Sequence, residues 1–541
     1  MLPIETKIDA GSATFAANAA AMSAAIAEIR TVADRQIALA ESARERNAKR
    51  GDVMPRDRLA LLLDPGTPFQ ELSAFAGYKL LEDVDGSTSG GGVIVGIGYV
   101  KGVRCAVCVD NFAIKGGTIT ESGMLKKLRF QEIVLENKLP YITLAQSGGA
   151  NLRYATDTFV IGARYFANRA RLSAAGIPQI TVVHGAATAG GAYDPGLSDY
   201  VIMVRKKASM YLAGPPLLKA ATGEIATEEE LGGAEMHTEI SGCAEYLAEN
   251  DTDGIRIARE IMGALAPAVA VNVEHPAGYD EPLYPAEELI GVIPADPKTP
   301  YDAREVIARF VDGSRFLDFK AGYDNGTICG HAAIMGFPIG IIANNGPITA
   351  RGAAKAAQFI QLCDQSGVAV LFLQNTTGFL VGKEQEQDGI IKHGSKLIQA
   401  VANCRTPRFT IMIGGSYGAG NYAMCGRGLD PRFIFAWPNS KVAVMGGAQA
   451  AMVLRIVGEA RFKRQGIEMD PKSRAAVDAE AQEAERLLIE NSTALYCTAR
   501  VWDDGIIDPR ETRTCLGELL RICREADARE LRPITFGAAR L

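Results

Sequence analysis

Several short stretches of this 541-residue sequence place chemically capable residues at informative spacings. Gly414-Gly415-Ser416-Tyr417-Gly418 matches G-x-S-x-G, the turn that lifts a nucleophilic serine between a strand and a helix. That chemistry needs an acid and then a histidine further along the chain, whereas the last of the five histidines, His393, precedes Ser416. An overlapping match, Gly418-Ala419-Gly420-Asn421-Tyr422-Ala423, fits the G-x-G-x-x-A of dinucleotide sites. The acidic residue required about 20 positions on is missing, because Asp430 comes too soon, in a GRGLDPR turn. Cys105 and Cys108 form a C-x-x-C inside the strand-like GVRCAVCVD, where alternation sends them to opposite faces. No second such pair completes a zinc site, and the ten scattered cysteines do not form a disulfide framework. His184 and His393 read as hydrogen-bonded packing residues, with no partner at ligand spacing. The absence of G-x-x-x-x-G-K-[ST] argues against ATP hydrolysis.

A further stretch, GAATAGGAYDPG at 185 to 196, offers almost nothing but backbone. Small residues between a strand and a helix can serve close packing alone. They can also leave first-turn N–H groups, at the positive end of a helix, pointing at an oxygen that gains charge in a transition state. Recurrence decides between the readings. Aligning Pro178 of IPQITVVHGAATAGGAY with Pro407 of TPRFTIMIGGSYGAGNY gives an offset of 229 residues (407 − 178), which sets Gly185 on Gly414, Gly191 on Gly420 and Tyr193 on Tyr422. Two such turns imply two oxyanion holes.

The elements that must position these turns repeat as well. RDRLALLLDPGTPFQEL (56 to 72) and the two β-like runs after it return as REVIARFVDGSRFLDF (304 to 319) and ICGHAAIMGFPIGIIANN (328 to 345). LPYITLAQSGGANL (139 to 152) returns as VAVLFLQNTTGFLVG (368 to 382). Helix-like stretches at 154 to 175 and 351 to 366 alternate with strands, so the expected class is α/β, in two tandem halves related by duplication. Residues 14 to 50 read as an Ala-rich helix and 471 to 500 as another. Seven prolines between 265 and 300 mark a connector. The expected organisation is a helical segment to 50, a domain from 51 to 270, a connector from 271 to 300 and a domain from 301 to 541.

With 48% hydrophobic and 22% charged residues and a net charge of −6, the composition is that of a globular protein without a nucleic-acid partner. No apolar stretch reaches the roughly 18 residues of a membrane span, and MLPIETKIDAGSATF resembles neither a secretory nor a transit signal. The expected address is cytoplasmic, with no membrane partner.

Over nearly its full length the chain resembles the carboxyltransferase (β) subunits of biotin-dependent acyl-CoA carboxylases. The resemblance is carried by RGDVMPRDRLALLLDPGTPFQEL, DNFAIKGGT, GIPQITVVHGAATAGGAYDPGLSD, YLAGPPLLKAATGE with LGGAEMH, IIANNGPI, TGFLVG with GIIKHGSKLI, and YGAGNYAMCGR. It implies two crotonase-like domains of ββα superhelical units. It also implies that carboxybiotin supplies the CO2 and the base, while the protein supplies one hole for a thioester enolate oxygen and one for the biotin ureido oxygen. By position, Gly190 and Gly191 would form the first hole and Ala419 and Gly420 the second; which of them faces the thioester stays open. Ala189, Tyr193, Gly196 and Leu197 would line the substrate, together with Gly148, Gly149, Phe379 and Tyr422. Arg351 and Lys355 are candidate CoA contacts, although both could equally be solvated helix charges.

The family implies no metal in this chain, a site shared between subunits, and a homo-oligomer, commonly the β6 core of an α6β6 complex. Neither A-M-K-M nor an ATP-binding signature is present, so a biotin carboxylase/biotin carrier α subunit is the expected partner. GAGNY and QNTTGF resemble the branch that deprotonates the γ carbon of 3-methylcrotonyl-CoA or geranyl-CoA, rather than the propionyl/acetyl type with GGAYD and DTPGF. Gly196 and Leu197 in AGGAYDPGLSDY depart from the AGGAYVPAMSDE of 3-methylcrotonyl enzymes and favour geranyl-CoA. The rival readings are a crotonase-type enoyl-CoA hydratase or isomerase without biotin, a subunit of a sodium-pumping decarboxylase, and a non-catalytic scaffold.

Overall fold

The computed structural model describes residues 1–149, 155–296 and 299–535. They form two compact units, each built around one mixed sheet. The N-unit comprises Arg30–Val273, Ala499–Val501 and the chain from Ile522 on; the C-unit comprises Met1–Ile29, Glu274–Thr498 and Trp502–Arg521. Residues 150 to 152 of the LPYITLAQSGGANL repeat, Tyr154 of the next helix-like stretch, and 297 and 298 of the connector lie outside the described residues.

Helix α1 (Ala13–Ser42) begins in the C-unit and ends in the N-unit. The N-unit sheet contains β1 (Gln70–Leu72), β2 (Val93–Val100), β3 (Val103–Asp110), β4 (Tyr141–Ser147), β5 (Gln179–Thr188), β6 (Tyr200–Val204), β7 (Ser209–Tyr211) and β8 (Tyr246–Ala248). Its order is β1-β2-β3-β4-β5-β6-β8, with β7 paired to β5 alone. The first two pairings are antiparallel and the rest parallel. Helices α2 (Glu121–Glu136), α3 (Ala155–Ala174), α4 (Tyr193–Gly196) and α5 (Asp251–Val269) follow the strands. All eight residues of β3 are buried, as a strand covered on both faces requires.

The C-unit repeats this plan with β9 (Leu317–Asp318), β10 (Thr327–Ile334), β11 (Phe337–Asn344), β12 (Ala369–Thr376), β13 (Arg408–Tyr417), β14 (Phe433–Ala436) and β15 (Lys441–Ala443), in the order β14-β13-β12-β11-β10-β9 with β15 on β13. Its helices are α6 (Ala350–Ser366), α7 (Ile390–Asn403), α8 (Gly418–Ala423), α9 (Gly447–Arg464), α10 (Pro471–Glu490) and α11 (Thr512–Ala528), the last running into the N-unit. The expected helix to residue 500 ends at Glu490, and a separate helix spans Ala494–Ala499. Among the described residues, no helix is long and apolar enough to cross a membrane.

Duplication extends to single hydrogen bonds. Two-residue turns with left-handed φ at both positions, Lys101-Gly102 and Met335-Gly336, join β2 to β3 and β10 to β11. Thr120 caps α2 by accepting from Gly123 N (3.0 Å), and Thr349 caps α6 by accepting from Gly352 N (2.9 Å). Six residues past each cap, a buried lysine turns back to the sheet. Lys126 Nζ donates to Gly90 O (3.2 Å) and Val93 O (2.7 Å), and Lys355 Nζ donates to Asp324 O (3.0 Å). Burial pulls the Lys126 ammonium down to about 8.

The units part between Val273 and Glu274, while the first 29 residues belong to the C-unit and the end of the chain to the N-unit. The last described stretch joins the N-unit because Glu525 pairs with Arg104 (2.6 Å), both buried, and Arg529 donates to Val269 O (2.9 Å) and Asn137 O (3.1 Å). The helix before the connector also runs through Pro267 to Val269. Proline near a helix C-terminus removes only one late hydrogen bond.

Asp503 and Asp504, which follow the helix Ala494–Ala499 and reach β14 through Asp504, are fully buried side by side. Burial pushes the Asp503 carboxyl up to about 8, and the neighbouring Asp504 charge adds to the shift. A carboxyl raised above its unfolded value of 3.8 stabilises the fold at low pH, and that stability drains away as pH rises towards 8. Asp503→Asn should therefore raise the melting temperature at pH 8 by a few degrees, with the gain shrinking steadily towards pH 5. Thermal melts of both proteins across that range would show it.

Candidate active site

Both glycine-rich turns stand at the end of a strand that serves two ladders. Ile180 to Val183 of β5 pair with β6, after which Ala186 to Thr188 pair with β7. Phe409 to Met412 of β13 pair with β14, and Gly415 to Tyr417 then pair with β15. Between the two ladders the strands bend, and the register against the neighbouring strand shifts. Ala145↔Val183 is followed by Ser147↔Ala187, and Gln374↔Met412 by Thr376↔Ser416, all four partners related by 229 residues. The amide side chains of Gln146 and Asn375 fill the inside of each bend. A Cβ on Gly185 would lie 2.8 Å from Gln146, and one on Gly414 would collide with Asn375 Oδ1. Asn375 Oδ1 also accepts from Gly415 N (2.9 Å).

At the end of each strand the backbone turns left-handed for one residue, Ala189 (φ +52°) and Gly418 (φ +55°), and enters a short helical turn. Holding alanine in that region costs about 1–2 kcal/mol, so the surroundings enforce it. First-turn N–H groups have no intrahelical partner. Unlike Thr120 and Thr349, the preceding residues Thr188 and Tyr417 make no side-chain cap. Gly191 and Gly420 are buried, Gly190 is half-buried and Ala419 exposed.

A second turn closes over each strand end. Gly149 (φ +85°) and Gly378 (φ +114°) follow β4 and β12, and their N–H groups donate to Ser147 Oγ and Thr376 Oγ1, each at 3.2 Å. A Cβ at Gly149 would stand 3.2 Å from Thr188 O, and one at Gly378 would stand 3.4 Å from Tyr417 O. The structure thus brings Gly149 to the Ala189–Gly191 turn and Gly378 to the Ala419–Gly420 turn, with exposed Gly148 beside the first.

Tyr193 and Tyr422 are exposed at matching positions, and the Tyr193 ring lies 5.1 Å from that of Phe166. Gly196 faces open space, with no atom within 4 Å of a built Cβ, and Leu197 is half-buried. Phe379 is half-buried and packs on the C-unit core. Arg351 is exposed, its guanidinium 4.3 Å above the Tyr323 ring. Lys355, paired with it as a candidate CoA contact, has no exposed surface; its ammonium is committed to Asp324 O, as that of Lys126 is to Gly90 O. Ser416 is buried too, accepting from Asn421 Nδ2 (2.8 Å) and donating to Gln374 Oε1. That geometry makes it a structural hydroxyl.

His184, at the start of the β5 bend, is buried with Nδ1 3.1 Å from Asp251 Oδ1. Burial and then the Arg58 charge pull its imidazole down to about 4, so it is neutral at physiological pH. Asp251 also accepts from Arg58 (2.8 Å) and Val53 N (2.9 Å). Despite burial, His184 and Arg58 hold its carboxyl well below the usual carboxylate range. Sequence reasoning overlooked Gln146 and Asn375, Ser147 and Thr376, and Lys126 as the counterpart of Lys355. The 229-residue offset that aligned the glycines would have found all of them.

A carboxyl transferase domain family model matches residues 46–533. The biotin-dependent 3-methylcrotonyl-coenzyme A carboxylase beta1 subunit of Mycobacterium tuberculosis is 45% identical over 494 residues, covering 90% of this chain and 91% of that protein. The probable mitochondrial methylcrotonoyl-CoA carboxylase beta chain of Drosophila melanogaster is 42% identical over 562 residues, covering 99% and 95%. The crystal structure of the P. aeruginosa geranyl-CoA carboxylase beta subunit superposes with a TM-score of 0.92 at 58% identity, covering 100% of both chains. The two units are crotonase-like domains, as the resemblance implied.

If the bends carry the turns, filling them should destabilise the fold. Gly185→Ala and Gly414→Ala should each cost about 1–3 kcal/mol through overpacking, whereas Gly196→Ala should be neutral. Denaturant melts of the three variants would separate the cases.

Proposed function

The chain belongs to the carboxyl transferase family and is the carboxyltransferase component of a biotin-dependent acyl-CoA carboxylase; we propose that it carboxylates the γ carbon of a branched 2-enoyl-CoA, with geranyl-CoA preferred to 3-methylcrotonyl-CoA. One observation carries the mechanism. At the same offset in both units, a left-handed residue delivers the chain into a helical turn without a side-chain cap, over a strand end closed by a second glycine turn. Two sets of main-chain donors suit two oxygens, and the turns accommodate a ureido carbonyl because no capping side chain competes for those N–H groups.

When bound, carboxybiotin supplies the CO2 and the base for the γ proton. The chain's own part is electrostatic. N–H groups at Gly190 and Gly191 in one unit, and at Ala419 and Gly420 in the other, hold the thioester oxygen as it becomes a dienolate and the oxygen of the ureido group. Their strength comes from being fixed before reaction, so no reorganisation is needed as charge develops. A biotinylated α subunit is the proposed source of the carboxyl group, and a homo-oligomer the proposed working form. Geranyl-CoA is supported by 58% identity to the geranyl-CoA carboxylase subunit and by the open space at Gly196. The names of the 45% and 42% identical relatives favour the 3-methylcrotonyl reading.

Reconstitution with the biotinylated partner, ATP and bicarbonate, comparing kcat/KM for geranyl-CoA, 3-methylcrotonyl-CoA and propionyl-CoA, tests the substrate. Geranyl-CoA should rank first, and a preference for propionyl-CoA would overturn the branch assignment. Gly191→Val should lower turnover by about 10²–10³-fold, the worth of an oxyanion donor, in an intact oligomer, since its Cβ enters open space. Gly420→Val is the less clean test, because its Cβ would stand 2.8 Å from Gly378 Cα. Loss of activity there would mix blockage with displacement of the turn.

A further inference from the structure

The two turns share a left-handed entry but are anchored by different chemistry. Asp194, three residues past Gly191, is the second residue of α4, and its carboxylate is buried beneath the turn. Tyr165 Oη donates to it, Lys127 Nζ lies 3.4 Å away and Arg169 Nε 3.7 Å. Arg169 also donates to Asp194 O (2.8 Å) and Ser198 Oγ (2.5 Å), and reaches Thr143 on β4 and Thr181 on β5. Lys127 is shared with Asp110 at the end of β3 (3.2 Å), whose other oxygen accepts from Gln146 N (3.2 Å) at the β5 bend. A single network therefore ties together the end of β3, the residue that fills the bend, and the helix leaving the hole.

In the C-unit none of these charges exists. Ala423, Ala356, Gly394 and Ile398 stand at the positions of Asp194, Lys127, Tyr165 and Arg169. There Gln374 bridges Ser416 and the carbonyl of Met424 (2.7 Å), and Asn421 closes the ring.

We propose that Asp194 is the positioning residue of the N-unit oxyanion hole, clasped by Lys127, Tyr165 and Arg169 so that the four-residue helix α4 holds in place the turn before it, Ala189–Ala192, whose Gly190 and Gly191 N–H groups form the hole. The inference rests on the hole reading above. A helix of one turn cannot hold its own direction, because its few hydrogen bonds do not offset the cost of nucleation. Lys127 and Arg169 match the two carboxylates, and burial pushes the Asp110 carboxyl up, so the anchor leaves no net negative charge beneath donors that must attract an oxyanion. The Lys127 and Arg169 charges outweigh burial and keep the Asp194 carboxyl below its ordinary value, and Lys127 stays protonated.

Asp194→Asn, Lys127→Met and the double variant would be compared with wild type and Gly191→Val in the reconstituted holoenzyme, measuring kcat, KM, melting temperature and assembly. Asp194→Asn should lower kcat about 10- to 100-fold at unchanged KM, the effect of small misalignment of catalytic groups. The double variant removes one charge of each sign, so it should melt closer to wild type than Lys127→Met, which leaves Asp110 and Asp194 with one cation fewer, yet keep the low kcat. If the single variant fails to fold, the double variant carries the test. Asp194 variants with wild-type kcat per folded site beside a crippled Gly191→Val would overturn the positioning role while keeping the hole. Wild-type turnover in Gly191→Val would instead sink the hole reading itself.

Discussion

A parallel strand that outruns its sheet must find new partners or leave its backbone groups unpaired. β5 and β13 solve this by bending into a second ladder, on β7 and β15, and much else in each unit follows from the bend. It creates a gap against the neighbouring strand that one amide side chain fills, it excludes a side chain from Gly185 and Gly414, and it sets the direction in which the chain enters the next turn. The left-handed residue that follows then presents first-turn N–H groups at the strand end, where the Gly149 or Gly378 turn stands over it.

Comparing the two units separates what this geometry requires from what merely supports it. Glycines at the bend, threonine caps on α2 and α6, turn hydroxyls at Ser147 and Thr376, and the inward lysines recur because each satisfies a backbone group that both units share. The anchors do not recur. Fixing a turn requires only that its buried polar groups be fully paired, which an ion network or an amide and hydroxyl ring can do equally well. The N-unit carries charge where the C-unit carries alanine and isoleucine, and the left-handed entry into the turn is the same.

The repeat, the α/β class and the glycine turns were legible because they depend on local pattern: alternating burial, proline and glycine punctuation, and a constant offset between Pro178 and Pro407. Ser416 matched a motif whose histidine order the sequence already ruled out; G-x-S-x-G specifies a strand-to-turn geometry that this bend also adopts, without saying which way the hydroxyl points. Lys355 is the residue that misled. A lysine on an otherwise mixed helix face reads as solvated, and only the packing of α6 on its sheet shows its ammonium turned to Asp324 O. The return of the chain's last stretch to the N-unit escaped because Glu525 and Arg529 find Arg104 and Asn137 across about 400 residues of chain, a separation that carries no local signal.

By itself the sequence determined that two copies of one strand-and-turn unit exist, that their turns offer backbone rather than side chains, and that serine, dinucleotide and zinc chemistry lack necessary partners. Those conclusions rest on residue type and spacing, which are properties of the chain before it folds. Tertiary structure alone decided that the first-turn N–H groups are uncapped, that the bends admit no Cβ at Gly185 and Gly414, and that Asp194 is clasped by three side chains from two other helices. These are matters of distance between groups remote in sequence, and such distances are set only when the sheet and its covering helices pack.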